Sequence, residues 1–81
     1  MEVIVFSKPH CIECNMVKRF LTDYQIPFEV RDCSHPQHLE EVKAMGFLGV
    51  PVTVVNGTPV QGLQPDRILE LVKAADKQDL R

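Results

Sequence analysis

No stretch of this sequence approaches the roughly 18 consecutive apolar residues that a membrane helix needs. Its apolar runs are short, such as Val3-Ile4-Val5-Phe6. An excess of one charge is also missing: nine Lys and Arg stand against eleven Asp and Glu, for a net charge of −2. That balance offers no electrostatic basis for binding nucleic acid or an anionic membrane. Three cysteines are too few, and odd in number, for the disulfide framework of a small secreted chain. Glu2 leads, and Val3 to Phe6 is too short for the apolar core of a signal peptide, so none is expected. Repeats, low-complexity tracts and linkers are absent. The expectation is one soluble, cytoplasmic, monomeric domain over residues 1–81, in a reducing compartment.

At 81 residues the chain is near the size at which one core just suffices, and 44% hydrophobic residues can supply it. Its organising stretch is Ser7-Lys8-Pro9-His10-Cys11-Ile12-Glu13-Cys14. Two cysteines spaced Cys-x-x-Cys follow a β-branched run and open a segment of helical periodicity, which reads as a dithiol at a helix N-terminus. Only a thiolate is a nucleophile, and a free thiol with a pKa of about 8.5 is mostly protonated at neutral pH. The unpaired N–H groups of a first helical turn favour the anion. Cys11 is therefore the expected nucleophile and Cys14 the resolving thiol, with Lys8 and His10 adding positive character nearby. Half of a zinc site is the competing reading, but only His10, Cys33, His35 and His38 remain to complete it, in a spacing that matches no common finger.

Along the chain, Val3–Phe6 reads as a strand buried on both faces. Met16, Val17, Phe20, Leu21 and Tyr24 recur at helical spacing from Ile12, and the helix stops before Ile26-Pro27. Phe28–Arg31 alternates as a second strand, parallel to the first through the intervening helix. Ser34 and Gln37 suit a capping box with Pro36 in the first turn of a helix carrying Leu39, Val42 and Met45, and Gly46 suits its C-terminal cap. After the loop 47–51 comes a strand at Val52–Val55, an Asn56-Gly57 hairpin, and an edge strand holding Pro59. A last helix begins at Pro65 with Ile68, Leu69, Val72 and Ala75 as its apolar positions, giving an ordered core over 1–75 and a frayed polar tail over 76–81. The order βαβαββα implies an α/β fold: a four-stranded mixed sheet with helices on both faces.

The Cys11-x-x-Cys14 motif after the first strand, Gly49-Val50-Pro51-Val52 before the third, and Gly62 before the last helix together resemble the glutaredoxin family of the thioredoxin fold, from about Glu2 to Ala75. Gly62-Leu63-Gln64-Pro65-Asp66 is similar to a segment of the small NrdH-type redoxins, with Leu63 where they carry an aromatic. The resemblance implies a redox-active Cys11–Cys14 disulfide with no cofactor and no metal. It also implies a cis Val50-Pro51 bond that presents backbone to an extended client, and a Gly62 that leaves room for that client. Lys8, His10, Val50, Pro51 and Gly62 are thus the expected substrate-binding residues. Implied partners are protein disulfides, ribonucleotide reductase among them, with thioredoxin reductase or glutathione as reductant.

Departures qualify the glutathione reading. Ile12-Glu13 stands between the cysteines where glutathione-using members carry Pro-Tyr or similar, and Gln61-Gly62 replaces their Gly-Gly pair. The tryptophan usual before a thioredoxin's active cysteine is absent. Two alternatives follow: a glutathione-dependent glutaredoxin working through Cys11 alone, with glutathione as co-substrate, and an iron–sulfur-binding module. Cys33 reads as a small, partly buried residue, His35 and His38 as polar residues of an exposed first turn, and Phe47 and Leu48 as either core or an apolar rim.

Overall fold

The strand Val3–Ser7 (β1) is buried along its whole length, and its alternation feeds two cores, one on each face of the sheet. The computed structural model describes residues 1–79. A helix, Ile12–Asp23 (α1), carries the chain to Glu29–Asp32 (β2), which pairs with β1 in parallel from Ile4↔Glu29 to Ser7↔Asp32. Helix Pro36–Ala44 (α2) follows, then Val52–Val55 (β3), antiparallel to β1, and Thr58–Gln61 (β4), antiparallel to β3. Helix Pro65–Asp79 (α3) closes the chain. The sheet order is β2-β1-β3-β4, which leaves Pro59 on an edge strand where its missing N–H costs no ladder bond.

Val3 and Val5 meet Val17 and Leu21 of α1 and Ile68 and Val72 of α3 in the larger core. On the opposite face Ile4, Phe6 and Val52 pack under Val42 of α2. This is the mixed four-stranded sheet with helices on both faces that the sequence predicts. Arg31 clamps the β2 edge to α2, its Nε on Glu29 at 2.6 Å and its Nη1 on Glu41 at 2.7 Å.

Both early helices stop by the same device. At the end of α2 the Gly46 N–H reaches the Lys43 carbonyl at 2.9 Å and the Phe47 N–H reaches Val42 at 3.2 Å, with Gly46 at φ +90°. That is a Schellman motif with glycine in the left-handed position. At the end of α1, Gln25 donates to Thr22 at 3.0 Å and Ile26 to Leu21 at 2.9 Å, and there Gln25 holds φ +57°. The hairpin Asn56-Gly57 has φ of +47° and +88°, the two positive values a type I′ turn requires.

Several expectations need correction. Ser34 does not cap α2. His35 occupies the N-cap without a side-chain bond, and Gln37 completes no capping box. The Asp32 carboxylate lies two residues before Ser34 and takes both its N–H and its hydroxyl at 2.8 Å, so the hydroxyl is spent before the helix starts. β2 is shifted one residue along, to 29–32, leaving Phe28 outside the ladder but against the larger core. Met16 and Tyr24 are not core residues. Cys14, Val17 and Leu21 form the buried stripe of α1, and residues at the margin of an apolar pattern turn outward when a single sheet face receives the helix. α3 continues to Asp79, beyond the expected end of the core at Ala75, and the last two residues of the expected frayed tail lie outside the described residues.

Candidate active site

The end of β1 delivers the chain to Lys8 and Pro9, both exposed, and His10 then takes φ +60°. Cys11 returns to extended backbone, φ −109° and ψ 110°, as the N-cap of α1. Its sulfur sits where a serine or aspartate oxygen would cap, accepting from the Cys14 N–H at 3.2 Å, while its carbonyl accepts from Asn15 at 3.1 Å. Cys11 and Cys14 are disulfide-bonded with Cα atoms 5.2 Å apart. Cys14 is 0% exposed and Cys11 partly exposed, so the sulfur within reach of another molecule is that of Cys11.

Lys8 and His10 flank this turn, but among the described residues neither enters a hydrogen bond or an ion pair. Any positive charge they bring acts through space across solvent, where it is weak. The local, fixed donors are the backbone N–H groups at the start of α1, opposed by Glu13 in its first turn.

The Val50–Pro51 peptide is cis, Pro51 is buried and Val50 half-buried. Gly62 donates its N–H to the Pro51 carbonyl at 2.9 Å from a backbone at φ +83°. A Cβ at Gly62 would meet no atom of this chain within 4 Å, so within the fold the glycine answers a backbone requirement and not crowding by its neighbours. Between this loop and the active-site loop lies a groove of ≈ 390 Å³ lined by Lys8, Pro9, Cys33, Ser34, Leu39, Leu48, Gly49 and Val50. It brings together Lys8 and Val50 from the expected binding residues, whereas His10, Pro51 and Gly62 do not line it. Leu48, 94% exposed, is rim, and Phe47 packs against the smaller core.

Cys33 belongs to this groove, which the sequence does not reveal. Its N–H donates to the Ser7 carbonyl at 2.8 Å, extending the parallel pairing one step past Asp32, and so places it beside the active-site loop. Burial pushes the Cys33 thiol above its ordinary value, and the negative charges of Asp32 and Glu41 push the same way. Asp32 itself is held below the usual carboxylate range by the Ser34 N–H and then by the Ser34 hydroxyl.

His35 and His38 meet edge to face with centroids 5.7 Å apart, and the His38 Nδ1 bonds the Asp32 carbonyl at 2.9 Å. A carbonyl accepts only, so that ring carries its proton on Nδ1. No group of three or more His, Cys, Asp or Glu side chains is arranged to hold a metal among the described residues.

The glutaredoxin family model matches residues 3–60. The glutaredoxin-like protein NrdH of Lactococcus lactis subsp. cremoris is 34% identical over 70 residues, covering 85% of this chain and 97% of the relative. A prophage-derived thioredoxin-like protein, YosR, of Bacillus subtilis is 34% identical over 79 residues, covering 90% of this chain and 96% of its own length. Among solved structures, the glutaredoxin-like NrdH-redoxin of Escherichia coli superposes with a TM-score of 0.81 at 26% identity, covering 88% of this chain and 95% of that one.

Proposed function

The chain belongs to the glutaredoxin family, with NrdH-type relatives, and from that premise we propose that this thiol–disulfide oxidoreductase is a dithiol electron donor to protein disulfides. Ribonucleotide reductase is the client we assign to it and thioredoxin reductase the reductant. The observation that carries the reading is the asymmetry of the pair: an accessible Cys11 sulfur at the cap of α1 and a fully buried Cys14 one turn behind it.

In the reduced protein the Cys11 thiolate attacks a client disulfide. A Cys11–client bond forms as the client's S–S bond breaks, and the departing client thiolate takes up a proton. Cys14 then gives up its proton and attacks the Cys11 sulfur, forming the internal disulfide and releasing the second client thiolate, which is protonated in turn. Two electrons and two protons pass to the client. Val50, which lines the groove, pairs its backbone with an extended client segment, and Lys8 meets client carboxylates. A reductant dithiol reverses the sequence, and its first attack falls on Cys11 because Cys14 is covered.

The E. coli relative is described as having a thioredoxin-like activity profile, which favours thioredoxin reductase. A second reading rests on the groove itself. Its ≈ 390 Å³ between Lys8 and Val50 can hold a small peptide thiol, which would make glutathione the reductant. NADPH consumption separates them. Turnover with thioredoxin reductase, and none with glutathione plus glutathione reductase, supports the first reading; the opposite pattern overturns it.

A further inference from the structure

The sheet ends on one side at β4, which Pro59 blunts, and on the other at β2, which has no proline, glycine or lysine to guard it. Parallel pairing to β1 uses alternate residues of β2. The Cys33 N–H donates to the Ser7 carbonyl, so the residues in step with it, Arg31 and Glu29, turn their backbone groups toward β1. Val30 and Asp32 turn theirs outward. The Asp32 carbonyl is taken by the His35 N–H at 3.1 Å and by His38 Nδ1 at 2.9 Å. Among the described residues nothing bonds the Val30 N–H or carbonyl, and the Val30 side chain is 46% exposed.

The edge Glu29-Val30-Arg31 is complementary to itself in one arrangement. Laid antiparallel on a second copy with Val30 opposite Val30, each Glu29 faces an Arg31 of the other chain. The outward Val30 groups make the central pair the hydrogen-bonded type, which exchanges two N–H···O bonds. The flanking Glu29 and Arg31 pairs are then the closer type, with Cα atoms about 4.5 Å apart, where opposite charges attract. Arg31 keeps Glu41 on its Nη1, while Glu29, its side chain 55% exposed, is free to shift between the two arginines. In-register parallel pairing would bring Glu29 beside Glu29 and Arg31 beside Arg31, so the charges select the antiparallel form.

From this self-complementarity we propose that the β2 edge binds a second copy of the chain, antiparallel about a two-fold axis at Val30, joining two four-stranded sheets into one of eight. The assembly does not depend on which client or reductant the dithiol serves. A four-residue strand buries far less than the roughly 1,600 Å² of a standard interface, so the dimer is weak and reversible. It is also not a disulfide dimer. In this register Cys33 stands opposite position 27 of the other chain, which separates the two Cys33 by six residues of strand, about 20 Å. Cysteines whose Cα atoms lie more than about 7 Å apart cannot be bridged.

Sedimentation equilibrium of the full-length protein tests this. The mass is expected to rise from one chain toward two as concentration climbs to about 1 mM, equally with and without dithiothreitol. Val30→Lys and Val30→Glu each set like charges face to face at the axis, and each is expected to weaken self-association on the order of tenfold. An equimolar mixture of the two variants is expected to recover it, because the axis then pairs a lysine with a glutamate. Wild-type protein that stays monomeric throughout overturns the proposal without any variant. So does a dimer that dithiothreitol dissolves, which would be a disulfide through Cys33. Undiminished association of Val30→Lys, or a mixture that associates no better than its components, overturns the two-fold pairing at Val30.

Discussion

The main-chain N–H of Cys14 points at the sulfur of Cys11, 3.2 Å away. One residue of the redox pair thus supplies the cap hydrogen bond for the other. When the disulfide opens, that donor remains where a charged sulfur at the N-cap gains from it most, because a hydrogen bond to an ionised acceptor is about twice as strong as a neutral one. The cap geometry that starts the helix thus favours a thiolate at Cys11 once the disulfide is reduced, and in the disulfide form Cys14 lies buried beneath it.

This asymmetry fixes the outcome of two substitutions. Cys11→Ser is expected to reduce turnover with any disulfide to background, because the buried Cys14 cannot meet a partner. Cys14→Ser is expected to accumulate a mixed disulfide at Cys11, visible by mass spectrometry as a stoichiometric adduct. Full protein-disulfide turnover by Cys14→Ser without glutathione would contradict the dithiol sequence.

Thr53 holds a hydroxyl that is wholly buried and has no hydrogen-bond partner among the described residues. It stands opposite Val5 on β1 and Val60 on β4, both members of the larger core, so its surroundings are apolar. An unpaired buried hydroxyl costs about 1–3 kcal/mol, and valine has nearly the same shape. Thr53→Val is expected to raise stability by about 1 kcal/mol, which moves Tm up by roughly 4–8 °C in a chain this small. Urea denaturation showing no gain would mean that the hydroxyl finds a partner in solution.

Gln25 occupies the left-handed position of a Schellman motif that Gly46 fills at the end of α2. A side chain there costs about 1–2 kcal/mol, part of which glycine returns through its freer unfolded state. Gln25→Gly should stabilise by roughly 0.5–1 kcal/mol, and Gly46→Ala should destabilise. Equilibrium unfolding checks both, and destabilisation by Gln25→Gly would show that the Gln25 side chain contributes something the backbone does not reveal.

The contrast between those two helix ends also shows what could be read in advance. Gly46, Asn56-Gly57 and Pro59 announce their roles because each has few conformations to offer, and the structure places each accordingly. Cys11-x-x-Cys14 was legible because its strand and helix neighbours define it. Gln25 carries no such mark; its conformation follows from where Leu21 and Ile26 must pack. Ser34 gives an ambiguous signal because a serine two residues after an aspartate has two local uses, and only the fold shows which one it takes. Periodicity gave the α1 stripe but not its width, since a pattern cannot say how much of a helix the sheet covers, and so Met16 and Ile12 emerged as surface. The Cys33 groove is a product of topology: parallel pairing of β2 with β1 brings position 33 beside Ser7 from far along the chain.

Asp32 links the end of β2 to the turn before α2 through two bonds to Ser34. Its carboxyl is held below the usual range, so the fold binds this proton less readily than the unfolded chain. The stability it supplies is fully present above the unfolded value near 3.9 and is lost as pH falls through the lower folded value. Asp32→Ala should flatten that part of the acid limb in unfolding measured between pH 5 and 2. An unchanged pH slope would show that the Ser34 bonds do not persist.

Cys33 runs in the opposite direction. In the oxidised protein it is the one free thiol of the three, half-buried in the groove beside Lys8 and Val50. Burial, then Asp32, then Glu41 favour its protonated form, so the unfolded chain ionises first as pH rises. Its contribution to stability is therefore present below the ordinary thiol value near 8.5 and is lost as pH rises through that value toward the higher folded one. Alkylation of the oxidised protein with iodoacetamide should show a midpoint above that of a cysteine peptide treated in parallel, because only the thiolate reacts. Glu41→Gln should lower the midpoint only in part, since burial is the larger cause. A midpoint at or below that of the peptide would mean that Cys33 is exposed and near positive charge, with Lys8 the nearest candidate in the groove.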